Sequence, residues 1–265
     1  MRLRGLVKYA LANWRPLSTP RFSYYGTNVF FPRGSELVRF VCRHGSFEQE
    51  IVNVLTHLVR KGTVVFDVGA NIGLMAVPVL QTCPSCEVIS FEPSPSSLPF
   101  LQRTASESGY EKRWRIIGKA LSNSNGEAEL QIGDGRDALF EGLRSGDSIA
   151  NPRSVKVPTT TLSQEWHNLG RPNVSVIKID VEGAEGLVLQ GANELLETCR
   201  PHLLVEWVQA YLNRFETSSE ELFALAAELR YRIYSLPGGM AVDRLEDLKV
   251  QMMFTSNFLV VPLNS

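Results

Sequence analysis

Hydrophobic and polar positions along the chain change period repeatedly, and each change marks an element. Continuous apolar, β-branched runs end on an acid at Asp67 and at Asp180, the pattern of strands buried on both faces of a parallel sheet. Similar runs predict strands over 63–68, 87–91, 114–119, 174–180, 202–206 and 231–235. Between them the period lengthens: Ile51, Val54, Leu55, Leu58 and Val59 share one helical face, which predicts a helix over 47–60, and another runs from the acids at 182–185 to about 198. Residues 24–42 are aromatic and β-branched with interrupting Gly and Pro, the signature of a hairpin. The stretch 133–152, rich in glycine and mixed charge between strand-like 129–132 and 154–157, reads as a lid loop. A last strand at 257–261 is expected to pair with the 231 segment. Strand and helix alternate through most of the chain, which predicts an α/β, doubly wound, mostly parallel sheet with its ligand beyond the carboxyl ends of the strands.

Composition narrows the partners. The 265 residues carry a formal net charge of -1, so no electrostatic pull toward nucleic acid is expected. No apolar run reaches the ~20 residues of a spanning helix. Residues 1–15 interleave Arg2, Arg4, Lys8 and Arg15 with Leu and Trp, which gives two readings: a helix packed on the domain, or a weak membrane-surface contact. Four cysteines and no secretory leader lead to the expectation of a soluble, cytoplasmic chain with reduced thiols. Cys83 and Cys86 have C-x-x-C spacing, but a zinc ribbon needs a second such pair, so an ordinary loop is expected there.

Chemistry concentrates in two stretches. After the first acidic strand end, Gly69, Ala70, Asn71 and Gly73 form a small-residue turn, which lets a ligand approach the backbone. Asn71 and Leu74 stand where a dinucleotide fingerprint requires glycines, so no pyrophosphate cradle is present. A nucleoside with an amino-acid tail and no phosphate, S-adenosylmethionine, suits the turn better. Glu92 closes the second strand, where an acid accepts hydrogen bonds from ribose hydroxyls in nicotinamide enzymes as well. In the second stretch Lys178, Asp180 and Glu182 fall on one face of a strand, and a buried lysine there needs an anionic partner. Asp67, Asp180 and Glu206 are expected to meet at one rim. Glu182 and Glu185 have a competing assignment as acids that complement a helix dipole.

The two stretches together resemble the FkbM-type family of S-adenosylmethionine-dependent methyltransferases. The matching pieces, in order, are Phe47-Glu48, the run from Val65 to Gly73, Phe91-Glu92-Pro93, Lys119-Ala120-Leu121-Ser122 with Gly126, the run from Ile177 to Glu185, and Pro201 to Glu206. Thr161-Leu162-Ser163 departs from the family's Thr-Leu-Asp. The resemblance implies a Rossmann-like class I methyltransferase fold with an antiparallel last strand over residues 47–265, preceded by a helix and hairpin extension over 1–46. It also implies O-methylation of a sugar, glycan or secondary metabolite, with N-methylation of a peptide as the alternative. Carried onto this chain, Asp67, Gly69, Asn71 and Gly73 surround the methionine part, Glu92 the ribose, and Ala120 and Leu121 the adenine. Glu48, Ala70, Pro93 and Asp180 complete the cofactor site.

A hydroxyl needs help to lose its proton, so Asp180, Glu182 and His44 are the candidate catalytic groups. Asp180, Glu182 and Glu206 form a candidate Mg²⁺ site, since hard cations take carboxylate oxygens. The expected partner is a small-molecule or glycan acceptor, and both a monomer and a homodimer remain open. A nicotinamide-dependent oxidoreductase and a non-catalytic Rossmann-like binding module are the competing classes.

Overall fold

A computed structural model of the chain describes residues 7, 9–10, 19–132, 142–143, 153–212 and 217–263. Most of residues 1–15 and of the expected lid at 133–152 lie outside these. In chain order the elements are β1 (Arg21–Tyr24), β2 (Thr27–Phe30), α1 (Glu36–His44), α2 (Gln49–Leu58), β3 (Val64–Val68), α3 (Ala76–Thr82), β4 (Glu87–Phe91), α4 (Leu98–Ser106) and β5 (Trp114–Ile117). Then come β6 (Ala120–Leu121), β7 (Gly126–Ile132), β8 (Gly142–Leu143), β9 (Arg153–Thr160), α5 (Leu162–Asn168), β10 (Val174–Ile179), α6 (Glu185–Gln190) and α7 (Asn193–Cys199). The chain closes with β11 (His202–Glu206), α8 (Gln209–Leu212), α9 (Ser219–Glu228), β12 (Tyr231–Ser235), β13 (Met240–Val242), α10 (Leu245–Gln251) and β14 (Asn257–Pro262).

Eight strands form the central sheet in the order β13-β12-β14-β11-β10-β3-β4-β5. The run β11-β10-β3-β4-β5 is parallel, and β14 enters antiparallel between β11 and β12. The continuous apolar runs explain the parallel part: β3 and β10 are buried along their whole length. Chain order reverses between β3 and β10, so the carboxyl ends of these two strands open a crevice. A smaller sheet, β6-β9-β7-β8, stands beside it. One apolar core covers the face that holds Phe66, Ile177 and Trp166; the other holds Val65, Val77 and Trp114 and takes in Tyr24, Val29, Leu37 and Val41 from the N-terminal elements.

Three expectations are corrected. The hairpin spans only Arg21 to Phe30. Beyond it the chain turns helical, because Ser35 caps Val38 N–H and Leu37, Val38 and Val41 share one buried face. The single helix expected from 182 to 198 is two, α6 and α7, parted at Gly191; a Cβ there would stand 2.2 Å from the Ser122 carbonyl oxygen. Cys83 and Cys86 are joined in a disulfide across the turn between α3 and β4, not left as reduced thiols.

Candidate active site

The strand ends position the chemistry. Register places Lys178 opposite Asp67 and Ile179 opposite Val205, so Asp180 and Glu206 leave their strands side by side. Above them lies a cavity of about 260 Å³, near the ~300 Å³ lower bound of small-molecule sites. Of the residues singled out in the sequence, Glu48, Gly69, Ala70, Asn71, Glu92, Pro93, Ala120, Leu121, Asp180, Glu182 and Glu206 line it. The walls also include Leu37, Phe47, Lys119, Leu130, Val208 and Tyr211. Leu37, Leu130 and Tyr211 sit on helices or strands and Phe47, Lys119 and Val208 in loops; of the six, Phe47, next to Glu48, and Lys119, next to Ala120, fall in the stretches quoted above.

Three predicted residues stand elsewhere. Asp67 lies behind the wall, fully buried, with Oδ2 accepting from Ser90 Oγ at 3.4 Å and Oδ1 without a hydrogen-bond partner among the described residues. Gly73 faces Trp114, whose ring lies 2.7 Å from where a Cβ would be, so this glycine serves packing. His44 is exposed: it ends α1, its Nδ1 bonds the Phe40 carbonyl at 3.0 Å, and its ring lies tilted against Phe40 with centroids 4.1 Å apart. Gly45, in a left-handed turn, ends the helix there and leaves His44 facing solvent.

After β4, Glu92 is buried, and its two oxygens accept the N–H groups of Asn71 (2.7 Å) and Ser94 (2.8 Å). The carboxylate thereby shapes the turn after β3. Phe91, Ala120, Leu121 and Leu130 give this end of the cavity an apolar wall.

At the other end acids outnumber cations. Lys178 Nζ lies 3.0 Å from Asp180 Oδ2 and donates to the Gly69 carbonyl at 3.3 Å. Burial works against its charge, but Asp180 and Asp67 outweigh that and hold the ammonium well above its usual range. Burial likewise opposes the charge on Asp180, and Lys178 reverses it, so this carboxyl stays ionised. Glu206 is raised by burial and then by the Asp180 charge, and the pair shares a hydrogen bond. Burial and Asp180 raise Glu48 as well. One oxygen from each of Asp180, Glu182 and Glu206 lies within 4.8 Å of the others.

Backbone strain gathers at the same place. Among the described residues seven non-glycines have positive φ, and three of them, Glu48, Asn71 and Glu182, line the cavity.

A parallel sheet with a reversed last pair and a cavity across the ends of β3, β4 and β10 is the class I methyltransferase architecture. The chain belongs to the methyltransferase FkbM domain family, whose model matches residues 67–233. It is 28% identical over 160 residues to the 2-O-methyltransferase NoeI of Sinorhizobium fredii, covering 56% of this chain and 64% of that protein. It is also 28% identical over 161 residues to the 31-O-demethyl-FK506 methyltransferase FkbM of Streptomyces tacrolimicus, covering 51% and 61%. The chain thus spans under two thirds of the length of these relatives. The crystal structure of a methyltransferase FkbM from Methylobacillus flagellatus shares the fold with a TM-score of 0.50 and 15% identity, over 97% of this chain and 59% of that one. Among the described residues no helix is long and apolar enough to cross a membrane.

Proposed function

We propose that this chain transfers a methyl group from S-adenosylmethionine to a hydroxyl of a sugar or natural product. The observation that carries the reading is one cavity lined by a buried acid, Glu92, after β4 and by an ionised acid, Asp180, after β10. The residues fit the cofactor: Glu92 has lone pairs for ribose hydroxyls, the apolar wall suits a purine, and the acid surplus suits a ligand with sulfonium and ammonium charges. When bound, the cofactor supplies an electrophilic methyl group. Asp180, held charged by Lys178, takes the proton of the acceptor hydroxyl, while Glu206 keeps the pair singly charged. Glu48, Phe47, Val208 and Tyr211 then border the acceptor and align it for in-line displacement. Both relatives named above carry oxygen methylation in their names, which favours a hydroxyl over an amide.

Calorimetric titration with S-adenosylhomocysteine, followed by tritiated methyl transfer to panels of glycosides and macrolides, tests this. Micromolar binding and label in an oxygen ether support the reading; a ligand-free protein that binds neither cofactor form ends it. A second reading adds Mg²⁺ on Asp180, Glu182 and Glu206, favoured by their three close oxygens. There the ion would neutralise the acids and orient acceptor hydroxyls. Binding of Mg²⁺ to chelator-treated protein, lost in Glu182→Gln, checks it.

A further inference from the structure

We infer that Glu185 is a positioning residue: its buried carboxylate clamps the turn after β10 and thereby sets Glu182 in the cavity. The turn has little room. β10 ends at Ile179 and α6 starts at Glu185, and the chain reverses between them through two successive left-handed residues, Glu182 (φ 58°) and Gly183 (φ 112°). For a non-glycine that conformation costs about 1–2 kcal/mol, so something must hold it. The helix cap does not, because Ala184 has no side-chain acceptor.

Glu185 does. Its Oε1 accepts the N–H of Val181 at 2.9 Å and of Gly183 at 3.2 Å, the two amides that flank Glu182. The side chain is 2% exposed, which separates it from an acid placed in a first helical turn only to complement the dipole. Burying a carboxyl group is costly, and among the described residues its second oxygen has no hydrogen-bond partner. The clamped turn is also pressed onto the turn after β3: the Asp180 carbonyl oxygen lies 1.8 Å from where a Gly69 Cβ would stand, and Asp180 N–H donates to the Val68 carbonyl at 3.1 Å. Holding Glu182 therefore fixes one wall of the acceptor end against the cofactor turn. What the clamp serves rests on the methyltransferase reading; the clamp itself is a property of this chain.

The test compares Glu185→Ala and Glu185→Gln with the native protein by amide hydrogen exchange. In Glu185→Ala, exchange at Val181 and Gly183 rises at least about tenfold, the loss of roughly one hydrogen bond each, while Ile177 in the strand ladder keeps its protection. Glu185→Gln retains an acceptor oxygen and restores the native rates. Affinity for S-adenosylhomocysteine stays within about threefold in both variants, and turnover with an acceptor falls at least tenfold in Glu185→Ala alone. Equal exchange in Glu185→Ala and native protein, or a Glu185→Gln as fast as Glu185→Ala, overturns the clamp. If Glu185→Ala does not fold, Glu185→Asp, with a side chain too short to reach both amides, takes its place under the same criteria. A native protein that neither binds the cofactor nor transfers methyl defeats the methyltransferase reading while leaving the exchange result intact.

Discussion

Lys178 and Asp180 meet at 3.0 Å at the end of one strand, with Asp67 opposite Lys178 on the next. The lysine side chain is only 6% exposed, so its charge exists there because two carboxylates face it. The same contact keeps Asp180 ionised in a place where burial alone would protonate it. One ion pair thus serves both the sheet and the site.

Removing the lysine strands both acids. Lys178→Met is expected to cost about 3–5 kcal/mol, read as a fall in the urea midpoint. By contrast Arg39→Ala, which breaks the exposed pair with Glu36 at 3.1 Å, should cost less than about 1 kcal/mol. Equal losses would mean that Lys178 is better hydrated than its burial indicates.

Two glycines with similar backbone angles separate strain from contact. Gly62 (φ 72°) has nothing within 4 Å of a virtual Cβ, whereas Gly69 (φ 77°) has the Asp180 carbonyl oxygen at 1.8 Å. Gly62→Ala should cost only the left-handed penalty of about 1–2 kcal/mol. Gly69→Ala should cost a further 1–3 kcal/mol or more of overpacking, roughly 2–4 °C in Tm per kcal/mol. Thermal melts of the two variants side by side check the difference.

Much of this is legible in the sequence, for physical reasons. Val64 to Val68 and Val174 to Ile179 are buried on both faces, so they read as mainly apolar runs; Asp180, just after the second, marks the rim, whereas Asp67, inside the first, is buried behind the wall. Strand pairing then brings Asp180 and Glu206 together. The helix α1 was hidden because Phe40, Val41 and nearby aromatics have the composition of a strand, and only the Ser35 cap and the 37, 38, 41 spacing separate the two. Leu37, Leu130 and Tyr211 reach the cavity through tertiary packing, which leaves no local trace. Gly73 was read as room for a ligand, when its space belongs to Trp114. Glu185 looked like a dipole acid because its sequence position is the same whether the side chain faces solvent or folds back on the turn.

Glu185 also predicts a pH dependence. Burial pushes its carboxyl up to about 7 from an ordinary 4.5, against the pull of the Val181, Glu185 and Gly183 N–H groups, and Asp180 adds to the rise. Between those values the unfolded chain has released the proton while the folded chain keeps it. Stability from this group therefore falls as pH rises from 4.5 to 7, by on the order of 3 kcal/mol, and levels off above. Glu185→Gln has no such proton and should flatten that part of the curve. Urea unfolding of both proteins at several pH values in this window measures the slopes, and parallel slopes would remove Glu185 as their source.

The two ends of the cavity should separate kinetically. Glu92→Ala leaves the Asn71 and Ser94 N–H groups without their acceptor and removes the ligand-facing lone pairs, so S-adenosylhomocysteine affinity should drop at least about tenfold. Asp180→Asn keeps the shape of the cavity but has no carboxylate to accept the proton. Its cofactor affinity should stay within a few fold, while turnover with an acceptor falls by about 10²–10⁴. The binding loss at Glu92 and the kcat loss at Asp180 are opposite signatures, measurable by calorimetry and methyl transfer on the same preparations. If Asp180→Asn retained turnover, proton removal would fall to Glu182, Glu48 or Glu206, the remaining acids at that end of the cavity.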